Sequence, residues 1–338
     1  MKRVLIIYTG GTIGMMHHHK TRVLVPFNFS RITDHIPELK HINCKIHFHS
    51  RPHPIDSSNV DLRFWIDLAT DIEKKYSKHD GFVILHGTDT MAYTASVLSF
   101  MLENLSKPVI LTGSQVPLGA IRNDARRNII TALEIASSAT VVPEVCIYFS
   151  NQLFRGNRAE KYTSSKFDAF HSLNYPVLAE AGVNIEFDKD AIMKKRHISK
   201  KIIVLKNLDT SVALIKIFPG MSVQLIDSIL SSTGLKAAVI ETFGSGNAPS
   251  NKEFIQALKN AVKRGIILVN VSQCSGGTVD QGKYETSIHL KEIGVISGKD
   301  MTTEAALAKL MFLLGNYSNK KEIEKLFQKN LRGEITTD

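Results

Sequence analysis

The chain has little that would tie it to an oxidising compartment or to a membrane. It has three cysteines, Cys44, Cys146 and Cys274, an odd number set far apart. They exclude a disulfide framework and fit a reducing cytoplasm. No apolar run is long enough to span a bilayer. At the start, Lys2-Arg3 and the apolar Val4–Tyr8 are too short for a signal sequence, and Gly10-Gly11-Thr12 interrupts them. A first strand is the better reading. No Gly-Lys-Ser or Gly-Lys-Thr phosphate loop occurs. The dinucleotide fingerprint fails at Thr9, where it requires glycine. Internal repeats and long low-complexity tracts are lacking too.

What is present suits an ordinary globular protein. The 338 residues are long for one domain and comfortable for two, and 43% of them are hydrophobic, enough for a sizeable core. The net charge is +10, from 42 Lys and Arg against 32 Asp and Glu. The cations are dispersed, with short runs at Lys194-Lys195-Arg196, Lys200-Lys201 and Lys320-Lys321, and no basic strand is interleaved with aromatics. Charge without a motif does not make a nucleic-acid site, so no nucleic-acid partner is expected. The histidines His17-His18-His19 are consecutive, and His47, His49 and His53 lie along a strand-like segment. Zinc sites favour spaced ligands, usually with cysteine, so these read as solvated loop residues and no metal is expected.

The first half alternates short apolar runs with helical patterns. Val4–Tyr8, Phe82–Leu85, Val109–Leu111 and Val145–Phe149 read as strands. Met91, Ala95, Leu98, Leu102 and Leu105 recur at helical spacing, and Asn123–Ser137 reads as a helix. Such alternation implies parallel strands with crossover helices. Glu186–Asn207 is charged and weakly periodic, a linker with one strand at Ile202–Leu205. A second α/β pattern follows. Val212–Ile217, Ala237–Ile240 and Ile266–Val271 read as strands. Ser250 and Glu253 suggest a capping box before a helix over Asn251–Arg264. Thr303–Leu314 reads as a helix stopped by Gly315. The expected architecture is α/β in two domains: a larger N-terminal domain with a mostly parallel sheet (1–185), a linker (186–207) and a smaller C-terminal α/β domain (208–338).

Polar clusters follow the strands of the first domain: Thr9–Gly14, His86–Thr90, Thr112–Gln115 and Asn151–Lys161. Open α/β sheets bind ligands beyond the carboxyl ends of their strands. Amide hydrolysis by a threonine needs an exposed hydroxyl, a base, backbone donors for the oxyanion, and groups that hold the substrate. Thr12 sits in a glycine-flanked turn, and Gly10 and Gly11 allow close backbone approach. Thr88 and Asp89 end another strand, and Lys161 lies in a further strand-end loop. Taken singly, Thr12 could be a turn residue, Asp89 a helix cap, and Lys166 a rival for Lys161.

Thr-Gly-Gly-Thr-Ile-Gly at 9–14 and His-Gly-Thr-Asp-Thr-Met at 86–91 together resemble the signatures of the bacterial cytoplasmic type I L-asparaginases. Asp56-Ser57-Ser58, Thr112–Gln115, Arg155–Arg158, Gly244–Pro249 and Asn330–Glu334 extend the resemblance over nearly the whole chain. It implies that L-asparagine is hydrolysed to L-aspartate and ammonia, without a cofactor, through an acyl-enzyme on Thr12. It implies a triad of Thr88, Lys161 and Asp89, in which Asp89 orients Lys161 and Lys161 takes a proton from Thr88 or a water. Ser57, with Asp56 or Ser58, would hold the substrate α-carboxylate, and Asp89 its amino group. Ser114 is a further binding candidate, with Gly11, Gln115 and Asn247 behind it. The resemblance also implies a homodimer or dimer of dimers. A carboxylate partner favours an ammonium while a base must be a free amine, so burial has to oppose the pairing at such a lysine.

Two positions depart from the family pattern. Members commonly carry a tyrosine in the mobile loop after the nucleophile. Between Met15 and Pro26 there is none, and Leu24 stands in its place. That keeps open a weakly active or non-catalytic amino-acid-binding homologue. The stretch Met15–Val25, with His17, His18, His19, Lys20 and Arg22, is placed to act as a lid. Glu241 stands where some members use an arginine to bind an effector asparagine, so that site is expected to be lost. An amidase acting on aminoacylated RNA would need an appended recognition domain, which the chain lacks.

Overall fold

The computed structural model describes residues 1–17, 24–26, 32–194, 201–282 and 285–336. The chain forms two compact units: 1–172 with 176–204, and 173–175 with 205–338.

The first unit is built on an eight-stranded sheet. Its strands are β1 (Lys2–Gly10), β2 (Cys44–Ile55), β3 (Gly81–Leu85), β4 (Val109–Thr112), β5 (Val145–Phe149), β6 (Gln152–Arg155), β7 (Ala179–Ala181) and β8 (Ile185–Phe187). The order is β8-β7-β6-β5-β4-β3-β1-β2. The pairs β2–β1, β1–β3, β3–β4 and β4–β5 are parallel. Central parallel strands are covered on both faces, which explains their continuous apolar runs. Phe82, Val83, Ile84 and Leu85 are all fully buried.

The longer helices in the connections between the parallel strands are α1 (Leu62–Lys75), α2 (Met91–Met101) and α3 (Ala125–Ser137). Asp61 caps α1 by accepting from the Phe64 N–H at 2.8 Å. One face of α1 buries Phe64, Trp65, Leu68, Ala69 and Ile72. Among the parallel strands the order is 2-1-3-4-5, so the order of strand addition reverses between β1 and β3. Ligand crevices of open α/β sheets form at such a switch point.

Three expectations are corrected here. Helix α2 ends at Met101; Leu102–Glu103 instead pairs as a short strand with Ile203–Val204. The segment after β5 is not a simple strand-end loop. Ser150 and Asn151 adopt positive φ (44° and 77°), and the chain doubles back as antiparallel β6. The turn Gly156–Arg158 then packs against α2, with Gly156 so close to Ala95 that a Cβ there would lie 2.9 Å from its methyl. Glu160–Lys161 pairs with Phe170–His171. Third, the first residues of the segment expected as a linker, Glu186 and Phe187, belong with Ile185 to the edge strand of the sheet.

The second unit carries a separate four-stranded sheet, all parallel. Its strands are β9 (Val212–Lys216), β10 (Ala237–Thr242), β11 (Ile267–Ser272) and β12 (Ile296–Ser297), in that order. Helices α4 (Val223–Leu230), α5 (Lys252–Lys263), α6 (Thr303–Asn316) and α7 (Lys320–Phe327) accompany it. A core of Ile215, Ile226, Leu230, Ile240, Phe254, Leu258 and Leu268 lies among these elements. The cap of α5 is Asn251, whose side chain accepts from the Phe254 N–H at 2.8 Å, one residue beyond the expected Ser250. In α6, Lys309 is fully buried against the equally buried Glu334. Its Nζ also donates to the Phe327 and Lys329 carbonyls. Glu334 accepts from the Leu331 and Arg332 N–H groups, so the Asn330–Glu334 segment folds around one neutralised charge. Among the described residues no helix is long and apolar enough to cross a membrane.

Candidate active site

Three strand ends meet at the β1/β3 switch point, and glycines let them approach. Gly10 and Gly11 have φ of 128° and 82°, conformations that L side chains rarely adopt. A Cβ on Gly10 would lie 2.0 Å from the Ile55 carbonyl oxygen at the end of β2. A Cβ on Gly11 would lie 2.5 Å from the Gly87 Cα and N beyond β3. A Cβ on Gly87 would lie 2.5 Å from the Ser57 Oγ. The clusters at 9–14, 56–58 and 86–90 are therefore nested, backbone against backbone. Threonines fasten the strand ends further. Thr9 donates to the Leu85 carbonyl at 2.9 Å, and Thr112 to the Tyr148 carbonyl at 2.8 Å.

Thr12 opens a short 3-10 turn, Thr12–Gly14, directly after β1, and is partly exposed. Among the described residues no side chain hydrogen-bonds its hydroxyl. Buried Tyr8 lies beneath the turn, its phenol pushed up to about 12 by desolvation and donating to the Gly14 carbonyl at 3.4 Å. Beyond β3, Lys161 Nζ donates to Thr88 Oγ1 at 2.8 Å and to Asp89 Oδ1 at 2.6 Å. The Lys161 side chain is 15% exposed and that of Asp89 66%. Thr88 Oγ1 also donates to Gln115 Oε1 at 3.2 Å.

The substrate-binding candidates divide. Ser57 is buried against Gly87, and its carbonyl accepts from Thr90 Oγ1 at 2.7 Å. Ser58 is exposed; its N–H and Oγ both donate to Asp56 Oδ1 at 2.8 Å. These bonds hold the Asp56 carboxyl below the usual carboxylate range. Ser114 is buried, and its hydroxyl has no hydrogen-bond partner among the described residues. Asn247 belongs to the second unit, in a turn where its N–H donates to the Phe243 carbonyl. Glu241, also in that unit, accepts from Thr303 at 2.7 Å and pairs with Lys216 at 3.3 Å. The backbone of Leu24 pairs with that of His17 in an antiparallel ribbon of Met15–His17 with Leu24–Pro26. Residues 18–23 of the expected lid, including His18, His19, Lys20 and Arg22, lie outside the described residues.

Trp65, Thr94, Asp124 and Asn128 escaped the sequence reading, as did the part played by His86. His86 is fully buried, and desolvation pushes its imidazole down to about 4. Its Nδ1 lies 2.7 Å from the Gly87 carbonyl and its Nε2 3.0 Å from Thr94 Oγ1. Trp65 Nε1 donates to the same Thr94 oxygen at 3.0 Å. One proton order satisfies all of these: Trp65 donates to Thr94, Thr94 to Nε2, and Nδ1 to Gly87. Asp124 plays a similar part for the next strand end, where its carboxylate accepts from the N–H groups of Gln115 and Val116. Asn128 ties it to the Gly113 carbonyl. Neither Thr94 nor Asp124 carries a local motif; both act across distance in the chain. His47 lies 2.8 Å from His79, and His49 faces Asp71 at 3.5 Å. Among the described residues, no three His, Cys, Asp or Glu side chains are grouped to hold a metal.

Comparison with known proteins agrees in both units. Residues 3–193 match the family model for the asparaginase N-terminal domain, and residues 211–327 that for the glutaminase/asparaginase C-terminal domain. The chain is 42% identical over 338 residues to L-asparaginase 1 of Escherichia coli (strain K12), covering 100% of this chain and 99% of that one. It is 40% identical over 362 residues to a mouse 60 kDa lysophospholipase, covering 99% of this chain and 63% of the relative. The crystal structure of L-asparaginase I from Vibrio cholerae matches with a TM-score of 0.90 at 41% identity, over 99% of each chain.

Proposed function

This chain belongs to the asparaginase family, and we propose that it hydrolyses L-asparagine to L-aspartate and ammonia with Thr12 as nucleophile. The observation that carries the reading is the hydrogen-bonded Thr88–Lys161–Asp89 set, whose Thr88 and Asp89 follow a Gly87 that leaves no room for a Cβ on Gly11, one residue before Thr12.

In the first step Thr12 Oγ attacks the side-chain amide carbon. The C–N bond breaks, ammonia leaves carrying the threonine proton, and an ester to Thr12 remains. In the second, a water attacks the ester and aspartate departs. The Gly14 N–H already donates to the Gly11 carbonyl, so the N–H groups earlier in the Thr12–Gly14 turn are the ones offered to the developing oxyanion. Lys161, as the free amine, would take a proton from Thr88 or from the attacking water, with Asp89 fixing its position. Ser57 and the neighbouring backbone would hold the α-carboxylate. Asp56 already accepts twice from Ser58, so its part is to shape that turn. Asp89, largely exposed, is available to the substrate amino group. Ser114, whose enclosed hydroxyl has no hydrogen-bond partner among the described residues, stays a binding candidate. We place the enzyme in the cytoplasm as a dimer or a dimer of dimers. Three unpaired cysteines support the compartment, and the family resemblance supports the assembly.

Ammonia release by purified protein tests the activity and separates it from mere amino-acid binding. Thr12→Ala should abolish release while retaining asparagine binding by calorimetry. Lys161→Met should lower kcat far more than it raises KM, whereas Lys166→Met should change neither. Wild-type turnover in Thr12→Ala, or the reverse ranking of the two lysines, would overturn the assignment.

A further inference from the structure

Thr88 has one hydroxyl proton and, among the described residues, two side-chain partners for its oxygen: Lys161 Nζ and Gln115 Oε1. An amide oxygen can only accept. The orientation of the Gln115 amide is fixed by its other end, because Nε2 donates to the Lys166 carbonyl at 3.0 Å. A flipped amide would set oxygen against oxygen there. The backbone of Gln115 is held as firmly, since its N–H donates to buried Asp124 at 2.9 Å. So the acceptor facing Thr88 is presented by a residue anchored on two sides.

The proton of Thr88 therefore has two destinations. While Lys161 is an ammonium it donates to Thr88, and the Thr88 proton must turn to Gln115. Once Lys161 is a free amine it can accept, and the Thr88 proton turns to Lys161, leaving Gln115 without it. We propose that Gln115 is a positioning residue that parks the Thr88 proton away from Lys161 and so favours the resting, ammonium form of the triad. This inference rests on the triad reading above and adds a regulator of its pH response. The titratable and charged groups around Lys161 are Asp89 before α2, Asp124 behind Gln115, Glu160 with His171 on the paired short strands, and Lys166 and Asp168 in the loop between them. Of these charged groups, among the described residues, only Asp89 is hydrogen-bonded to the amine.

The sign follows from which state has the bond. The Thr88–Gln115 hydrogen bond exists with the ammonium and is lost with the amine. Removing its acceptor must ease deprotonation. Gln115→Met keeps the length of the side chain and cannot accept through oxygen. It should move the acid limb of the kcat/KM profile toward acid by about half to one pH unit, the equivalent of one modest hydrogen bond. Gln115→Glu offers a charged acceptor and should move the limb the other way. A role in packing alone would lower activity at every pH and leave both limbs in place. If the Met variant is too slow to profile, the same shift should appear in the titration of the Lys161 amine, followed by NMR of 15N-lysine-labelled Thr12→Ala protein with and without Gln115→Met. Limbs that coincide, or a Met variant that shifts toward alkali, overturn the proposal. If Lys161→Met abolishes turnover while Gln115→Met leaves the limb unmoved, only this inference falls. If Lys161→Met keeps its turnover, the base assignment falls as well.

Discussion

One methyl group at Gly11 should disable the site without touching any reacting atom. The Cβ of an alanine there would lie 2.5 Å from the Gly87 Cα and N, where ordinary contact needs about 3.4 Å or more. The obstacle is backbone, so no side chain can rotate away. The loops bearing Thr12 and Thr88 would have to part by close to an ångström. Misplacement on that scale is enough to lower a rate by about 10²-fold. Two penalties add in stability. The φ and ψ of 82° and 171° fall in a region essentially reserved for glycine and strain an alanine by about 1–3 kcal/mol, and overpacking adds about 1–3 kcal/mol.

Two companion variants separate these effects. Gly220 also has a positive φ, 86°, and nothing within 4 Å of a Cβ, so Gly220→Ala carries positive-φ strain without a clash and should hydrolyse asparagine as the wild type does. Gly87 is not in the positive-φ region, yet its Cβ would meet Ser57 Oγ at 2.5 Å and Cβ at 2.7 Å. Gly87→Ala therefore carries the close approach alone and should raise KM, because Ser57 is displaced from the α-carboxylate. Steady-state ammonia release gives kcat and KM, and Trp65 fluorescence in urea reports the stability of the first unit. Wild-type kcat/KM in Gly11→Ala would refute the nesting of the two loops as the device that sets the catalytic distance.

The buried His86 makes stability depend on pH. Its folded value of about 4 lies below the usual 6.5, so the unfolded chain binds the extra proton between those limits. Stability from this group is complete above pH 6.5 and falls as the pH drops toward 4, by about 3 kcal/mol at most. Urea titrations at pH 7 and pH 4.5 should show that slope, and His86→Gln should flatten it. Thr94→Val, which leaves His86 Nε2 and Trp65 Nε1 without a partner, should destabilise the first unit by about 1–3 kcal/mol per orphaned group with an altered Trp65 emission. In the second unit, Lys309→Met should cost about 3–5 kcal/mol, since Glu334 would remain enclosed and unpaired. Adding Glu334→Gln should recover part of that loss in denaturant melts, and no recovery would argue against the charge as its cause.

The sequence made the central strands legible because parallel strands buried on both faces leave unbroken apolar runs, as at Gly81–Leu85 and Val145–Phe149. It left β2 as a strand-like stretch because an edge strand needs no such run. Cys44–Ile55 pairs with β1 on one side only and alternates histidine, lysine and arginine with its few apolar residues. Strand β6 was hidden for another reason. Its reversal depends on positive φ at Ser150 and Asn151, which apolar periodicity does not report. Leu102 and Leu105 continued the helical spacing of α2, but the partner at Ile203–Val204 claimed Leu102 for a strand. At the site, Thr12, Thr88 and Asp89 stood out because each lies beside a strand end and a glycine. Trp65, Thr94 and Asp124 did not. Their meaning comes from whom they reach across the fold, Thr94 to His86 and Asp124 to Gln115.

Two lysines show why burial and a carboxylate partner do not by themselves make a base. Lys309 is paired with Glu334, and its other bonds go to the Phe327 and Lys329 carbonyls. An ammonium has three N–H donors, and all three end on acceptors that carry no proton to give back. With no exposed surface, it has neither a route nor a partner for proton exchange, and its charge serves only to gather the Asn330–Glu334 segment. Lys161 also faces a carboxylate, but its second acceptor is the Thr88 hydroxyl, an atom that bears a proton. Its side chain keeps 15% of its surface, so a third donor can meet substrate or water. The same residue type is locked in one place and exchangeable in the other. The difference lies in what its partners can return to it, and on the proposed mechanism this gives the hydroxyl of Thr88, and Gln115 beside it, their part in the chemistry.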